Sequence, residues 1–237
     1  MLAALLVALA TAAGCGSSGS YSAPPFTTSD EEVRAECLTG TFVPEETGLD
    51  LPQKRPPADW GAVEGEPGAM QAERGAVLVT LHPQGPKSEI RLTGIDFDIE
   101  NLGLRPIGSV FYKPCKRRLR GAAIEADLDR VGQLDGSDAS FNGTLGKGFF
   151  VGKDARPISF PWSFSLKQPR RLYLVVEAYD IWAKWSARIP WESGSSHGVI
   201  KIDNGGRKYE IVDGVGSGWY QPLHGKWVSM RVPLYRR

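Results

Sequence analysis

Ile95-Asp96-Phe97-Asp98-Ile99-Glu100 alternates apolar and acidic residues without a break. Successive side chains of an extended chain point to opposite sides, so Ile95, Phe97 and Ile99 share one face and the three acids share the other. The same period of two returns at 122–129, where Ile124, Ala126 and Leu128 alternate with Glu125, Asp127 and Asp129. It returns at 185–191, where Trp185, Ala187, Ile189 and Trp191 alternate with Ser186, Arg188 and Pro190. No long stretch repeats every 3.6 residues, the period that a half-buried helix needs.

Working outward, strands are expected at 76–82, over 90–100 as one piece, and at 107–112 and 122–129. Residues 132–148, rich in Gly, Asp, Ser and Asn, are expected as a loop. Pro161 interrupts 158–166, so that strand is expected to be bulged or on an edge. Residues 172–179 begin apolar on both faces and are expected in the middle of a sheet. A hairpin is expected over 199–212, because Asn204-Gly205-Gly206 suits a tight turn with positive φ. A last strand is expected at 227–235. Short strands separated by turn signals predict an all-β fold, a β-sandwich of Ig-like or jelly-roll-like kind. Residues 76–237 suffice for one sandwich, and they also divide into two small β subdomains. The preceding stretch, 16–75, is rich in Pro and Gly and is expected as a flexible or irregular tether. Within it, 30–37 could form a helical turn or two capped by Ser29, and Trp60 could wrap 44–75 onto the domain.

Residues 2–14 are apolar or small and carry no charge; they end at Cys15 and are followed by Gly16-Ser17-Ser18-Gly19-Ser20. The run is shorter than the roughly 20 residues of a spanning helix. It has the size of the ~7–15-residue core of a signal peptide. Ala12-Ala13-Gly14-Cys15 resembles the lipobox of bacterial lipoproteins. That resemblance implies a signal peptide over 1–15, lipidation at Cys15, and a domain moored on the outer face of the cell membrane. Each buried methylene adds about 0.8 kcal/mol, so the two chains of a diacylglycerol would hold it there. The same residues also fit an ordinary cleaved signal with small residues at Ala10 and Ala12, or a plain disordered N-terminus.

With 28 basic and 27 acidic residues the formal charge is +1, which gives no general attraction to nucleic acid, and no nucleic-acid partner is expected. There are three cysteines. If Cys15 carries lipid, Cys37 and Cys115 remain, either as free thiols or as a disulfide in an oxidising compartment. The disulfide would close a loop of about eighty residues and contribute about 4 kcal/mol on the chain-entropy account.

Gly194-Ser195-Ser196-His197-Gly198 has the spacing of a nucleophile elbow, which needs a helix after the serine. Here β-patterned residues follow, so the expected structure is a polar hairpin loop and no catalytic residue is assigned. His82, His197 and His224 stand apart, and neither a metal nor a cofactor is expected. Asp96, Asp98, Glu100, Asp127, Asp129, Asp135 and Asp138 could serve calcium or a glycosidase acid–base pair ~5–10 Å apart. Outward-facing acids on strands are more simply solvated. Lys113, Lys116, Arg117, Arg118 and Arg120 form the densest basic cluster. It suits lipid head groups, at about 1 kcal/mol per basic residue, or an anionic polymer or acidic protein face, or else it is a solvated turn. Six of the seven tryptophans lie beyond residue 160. Alternation places Trp185 and Trp191 in the core, while Trp182 and Trp219 are expected to form an accessible aromatic surface.

The segment 185–209, with its Ser-Trp-like strand, Gly/Ser turn and Asp203-Asn204-Gly205-Gly206 loop, resembles the C-terminal β region of a group of uncharacterised actinobacterial lipoprotein-like proteins. Some of those carry a helix-turn-helix domain in front of it. The resemblance implies a shared β module and brings no catalytic or binding residue. The expected function is binding or scaffolding at the cell envelope, with an envelope protein or polymer as partner. The alternative is an envelope hydrolase acting on glycan or ester.

Overall fold

A computed structural model describes residues 24–33, 40–45, 56–57, 61–85, 88–112, 121–131, 155–214 and 217–230. The elements, in chain order, are β1 (Phe26–Glu32), β2 (Gly40–Pro44), α1 (Gly61–Glu64), β3 (Met70–Ala72), β4 (Arg74–Pro83), β5 (Ser88–Leu92), β6 (Asp96–Asn101), β7 (Gly108–Tyr112), β8 (Gly121–Asp127), α2 (Leu128–Val131), β9 (Ala155–Pro157), β10 (Trp162–Leu166), β11 (Arg170–Glu177), β12 (Trp182–Ser193), β13 (Ser196–Ile202), β14 (Tyr209–Val212), β15 (Gly218–Leu223) and β16 (Lys226–Ser229). The smaller sheet has the order β1-β4-β11-β8-β9. The larger runs β10-β5-β12-β14-β3-β2-β7-β15-β16, with β6 and β13 also paired to β12. The two face each other as a sandwich. Its main core joins Val77, Val79, Leu81, Ile124, Leu172 and Leu174 of the smaller sheet to Ile90, Leu92, Phe164, Trp185, Ile189 and Ile200 of the larger.

The period-two patterns carry over. Ala183, Trp185, Ala187, Ile189 and Trp191 are all buried along β12. β11 lies third of five strands and buries both faces: Leu172, Leu174 and Val176 inward, Tyr173 and Val175 in a second cluster with Ala76, Leu78 and Ala123. β10 starts after Pro161 and is an edge strand. Strands from the two halves of the chain interleave, β4 with β11 and β5 with both β10 and β12, so this is one sandwich rather than two subdomains.

Four expectations are corrected. The stretch expected as a tether, 16–75, supplies β1, β2 and β3. β1 pairs along β4 from Phe26↔Pro83 to Glu32↔Val77, where helical turns capped by Ser29 were expected. Its sequence, Phe-Thr-Thr-Ser-Asp-Glu-Glu, has no apolar alternation. The free edge of β4 and the contact of Phe26 with Trp191, ring centroids 5.0 Å apart, impose the strand. β2 and β3 lie between β14 and β7, and at Gly40 a side chain would run into Val110.

The strand expected over 90–100 is two strands. Thr93, Gly94 and Ile95 face only Ile189 and Pro190 between the pairs Leu92↔Trp191 and Asp96↔Arg188, which makes a bulge. Pro190 has no N–H to give, and its carbonyl accepts Thr93 N at 3.0 Å.

The hairpin expected over 199–212 does not form. β13 and β14 lie end to end along the same edge of β12, and the six residues 203–208 face Ser186 alone. The hairpin is instead β12–β13, closed by the two residues Gly194 and Ser195, with Gly194 at φ 60. Asn204 and Gly205 do adopt positive φ, as the sequence suggests, but in an excursion. In the fourth correction, the strand expected over 122–129 ends at Asp127, and α2 begins at Leu128.

Trp185 is fully buried, tilted against Tyr209 at 5.0 Å and Phe97 at 6.2 Å, and its Nε1 has no hydrogen-bond partner. Trp185→Ala should lower the unfolding free energy by about 3–5 kcal/mol in urea denaturation. Trp185→Phe, which keeps a ring and removes the unpaired N–H, should cost clearly less; equal losses would place the cost elsewhere.

Candidate functional site

The chain passes from the larger sheet to the smaller at a single residue, Glu73, between β3 and β4. Its φ of 57 lies in the left-handed region that residues with a Cβ seldom adopt. Its N–H donates to Val212 O at 2.7 Å, and its carbonyl accepts Ala178 N at 2.8 Å. One bond therefore goes to the end of β14 in the larger sheet and the other to the residue after β11 in the smaller.

Charged side chains gather around this joint. Arg74 is buried and donates through Nε, at 2.9 Å, and through Nη2 to Glu177 Oε1. Glu177 Oε2 accepts the Tyr179 hydroxyl at 2.6 Å. Arg105 donates to buried Asp213, whose own N–H reaches Ile181 O at 3.0 Å. Asp129 accepts Tyr179 N at 2.7 Å and Asp180 N at 3.1 Å, which holds the connection from β11 to β12. Arg105 comes from the loop 102–107, fastened at its start by Leu102 N to Trp182 O (2.8 Å) and Gly103 N to Asn101 Oδ1 (2.8 Å). That loop leaves Leu104 94% and Ile107 77% exposed.

Burial pushes the Glu73 carboxyl from 4.5 up to about 7; the charges of Asp213 and Glu177 push the same way and Arg74 opposes. Burial also raises Tyr179, with its hydrogen bond to Glu177 adding to the effect. The site thus holds a carboxyl that exchanges its proton near neutrality beside two carboxylates that pair with guanidinium groups. The partners of its two ion pairs, Arg74–Glu177 and Arg105–Asp213, are 103 and 108 residues apart in sequence, and none belongs to a local motif. The one hint is a charged residue at the end of a largely apolar run, Arg74 at the start of β4 and Glu177 at the end of β11.

The residues singled out from sequence are scattered. Cys15, Cys37, Cys115, Lys113, Lys116, Arg117, Arg118, Arg120, Asp135, Asp138 and Trp60 lie outside the described residues, as does the loop expected over 132–148. Trp219 is buried, not accessible: β15 runs parallel to β7 and turns the indole onto Phe42 and Val110, with Nε1 donating to Gly214 O at 3.0 Å. Trp182 is half-buried and donates to Glu210 at 2.8 Å, so the two make no common aromatic surface. Ser195 is in the β12–β13 turn and Ser196 opens β13 opposite Ser193, with no helix after them. His82 on β4, His197 on β13 and His224 in the β15–β16 turn stand in separate elements. Asp96 and Glu100 lie opposite Arg188 and Lys184, and Lys208 reaches Asp98 at 3.2 Å and Glu100 at 3.8 Å, so cations of the chain already face this row of acids. Among the described residues no three His, Cys, Asp or Glu side chains are grouped to hold a metal ion. No protein-family model, no curated protein and no solved structure matches the chain.

Tyr179→Phe removes the donor to Glu177 and keeps the ring. It should lower the unfolding free energy by about 2 kcal/mol in urea denaturation. No measurable change would mean that the hydroxyl does not support Glu177.

Proposed function

We propose that this chain is a membrane-anchored extracytoplasmic β-domain lipoprotein with a binding or scaffolding role at the cell envelope. The apolar run 2–14 ending at Cys15 supports the anchor, and Gly16–Ser20 supply a tether too polar to pack. No helix among the described residues is long and apolar enough to cross a membrane.

The observation that carries the binding role is the braced apolar loop. Leu104 and Ile107 are presented to solvent on a backbone held by Arg105–Asp213. This loop sits at the Arg74 end of the ten-residue β4, while the tether enters at Phe26, opposite Pro83 at the other end. At about 3.3 Å per residue the two ends are some 30 Å apart. A lipid at Cys15 would moor the chain from the Phe26 end, with the loop at the opposite end of β4 open to an envelope protein or polymer. Cys37 and Cys115 would form a disulfide in that compartment.

Intact mass spectrometry of the membrane fraction under non-reducing conditions should find a processed chain carrying a diacylglycerol at Cys15, with the mass deficit of one disulfide. Cys15→Ser should move the chain to the soluble fraction. Unmodified full-length chain in the cytosol would sink the anchor. Replacing Leu104 and Ile107 by Ser should cut retention of envelope material at least about tenfold, or 1.4 kcal/mol. Unchanged retention would remove the loop from the role, and turnover of a glycan or ester reporter would favour an envelope hydrolase.

A further inference from the structure

Glu73 is the sole residue between β3 of the larger sheet and β4 of the smaller, and its two backbone hydrogen bonds go to different sheets. Arg74, Asp213 and Glu177 act on its carboxyl, and Tyr179 and Arg105 stand behind the last two. Arg74 heads β4, Glu177 ends β11 with Tyr179 just beyond, Asp213 follows β14, and Arg105 reaches Asp213 from loop 102–107. Arg74 pairs with Glu177 and Arg105 with Asp213, whereas Glu73 has no ion pair of its own among the described residues. A Cβ built on Gly214 would lie 3.0 Å from Glu73 Oε1, so the carboxyl abuts the chain leaving β14.

We propose that Glu73 is a proton-operated latch: protonated, it closes the joint between the two sheets, and ionised, it opposes two neighbouring carboxylates and loosens both the joint and the loop that Arg105 braces there. The physics is desolvation and like charge. A half-buried carboxylate with no ion pair of its own is costly to ionise, and the cost grows when other carboxylates stand nearby. The neutral acid avoids both. Because loop 102–107 is tied to Asp213, the latch reaches a segment that exposes the apolar side chains of Leu104 and Ile107. The inference stands whether or not Cys15 carries lipid.

The sign follows from linkage. A carboxyl whose folded value lies near 7 and whose ordinary value is 4.5 takes up a proton on folding between those limits. Its contribution favours the native state at low pH and is lost as pH rises through about 7. Glu73→Gln fixes the neutral form and removes that dependence.

In the full chain, a carboxyl-carbon NMR titration should show Glu73 changing state near 7. Between about pH 6 and pH 8, hydrogen-exchange protection of Ala178 N–H should fall by about fivefold or more in the native chain and stay level in Glu73→Gln. The melting-temperature advantage of the variant should widen over the same interval. A Glu73 midpoint near the ordinary carboxylate value would overturn the proposal, and so would parallel pH profiles of chain and variant. The NMR titration uses the native chain alone, so it decides the matter even if Glu73→Gln does not fold.

Discussion

Every strand of the larger sheet is aligned on β12, directly or through the strands between. Its twelve residues carry β6 and then β5 along one edge, and β14 and then β13 along the other. One continuous strand thus aligns two interrupted ones. The interruptions, a bulge at 93–95 and an excursion at 203–208, are tolerable because β12 itself does not break. Its inward side chains then fill the space between the sheets with two indoles and three smaller apolar groups, so a slip of one residue would turn that whole row toward solvent.

This division of labour explains what could be read from the chain and what could not. β12 announces itself, since alternation is a local property and its five buried positions follow the pattern. β11 does too, because a strand covered on both faces must be apolar on both. β1 leaves no such mark: one phenylalanine and six polar residues become a strand only through the partner they meet. The excursion at 203–208 misleads for the opposite reason. Asn204-Gly205 has the chemistry of a hairpin turn and the dihedrals to match, but both flanking segments find a better partner in β12 than in each other.

The polar joint was illegible for a further reason. Arg74, Glu177, Asp213 and Arg105 are ordinary residues at strand ends and in a loop, and only the crossing of the chain at Glu73 brings them together. Once buried, their mutual pairing becomes compulsory, since a charge removed from water without a partner costs several kcal/mol. The joint is also where a sandwich has fewest options. A crossing made through one residue has no slack, and the left-handed backbone at Glu73 turns the chain within that space.

The excursion between β13 and β14 closes on itself. Gly206 N and Lys208 N both reach Asp203 O at 3.0 Å, and Gly205 and Gly206 have open space where a side chain would be. Because β12 holds the strands on either side, the length of this detour is decoupled from sheet alignment. Foreign peptide spliced between the two glycines would hang in solvent while the pleated framework stayed in place, which makes the detour a natural graft point for a label or epitope.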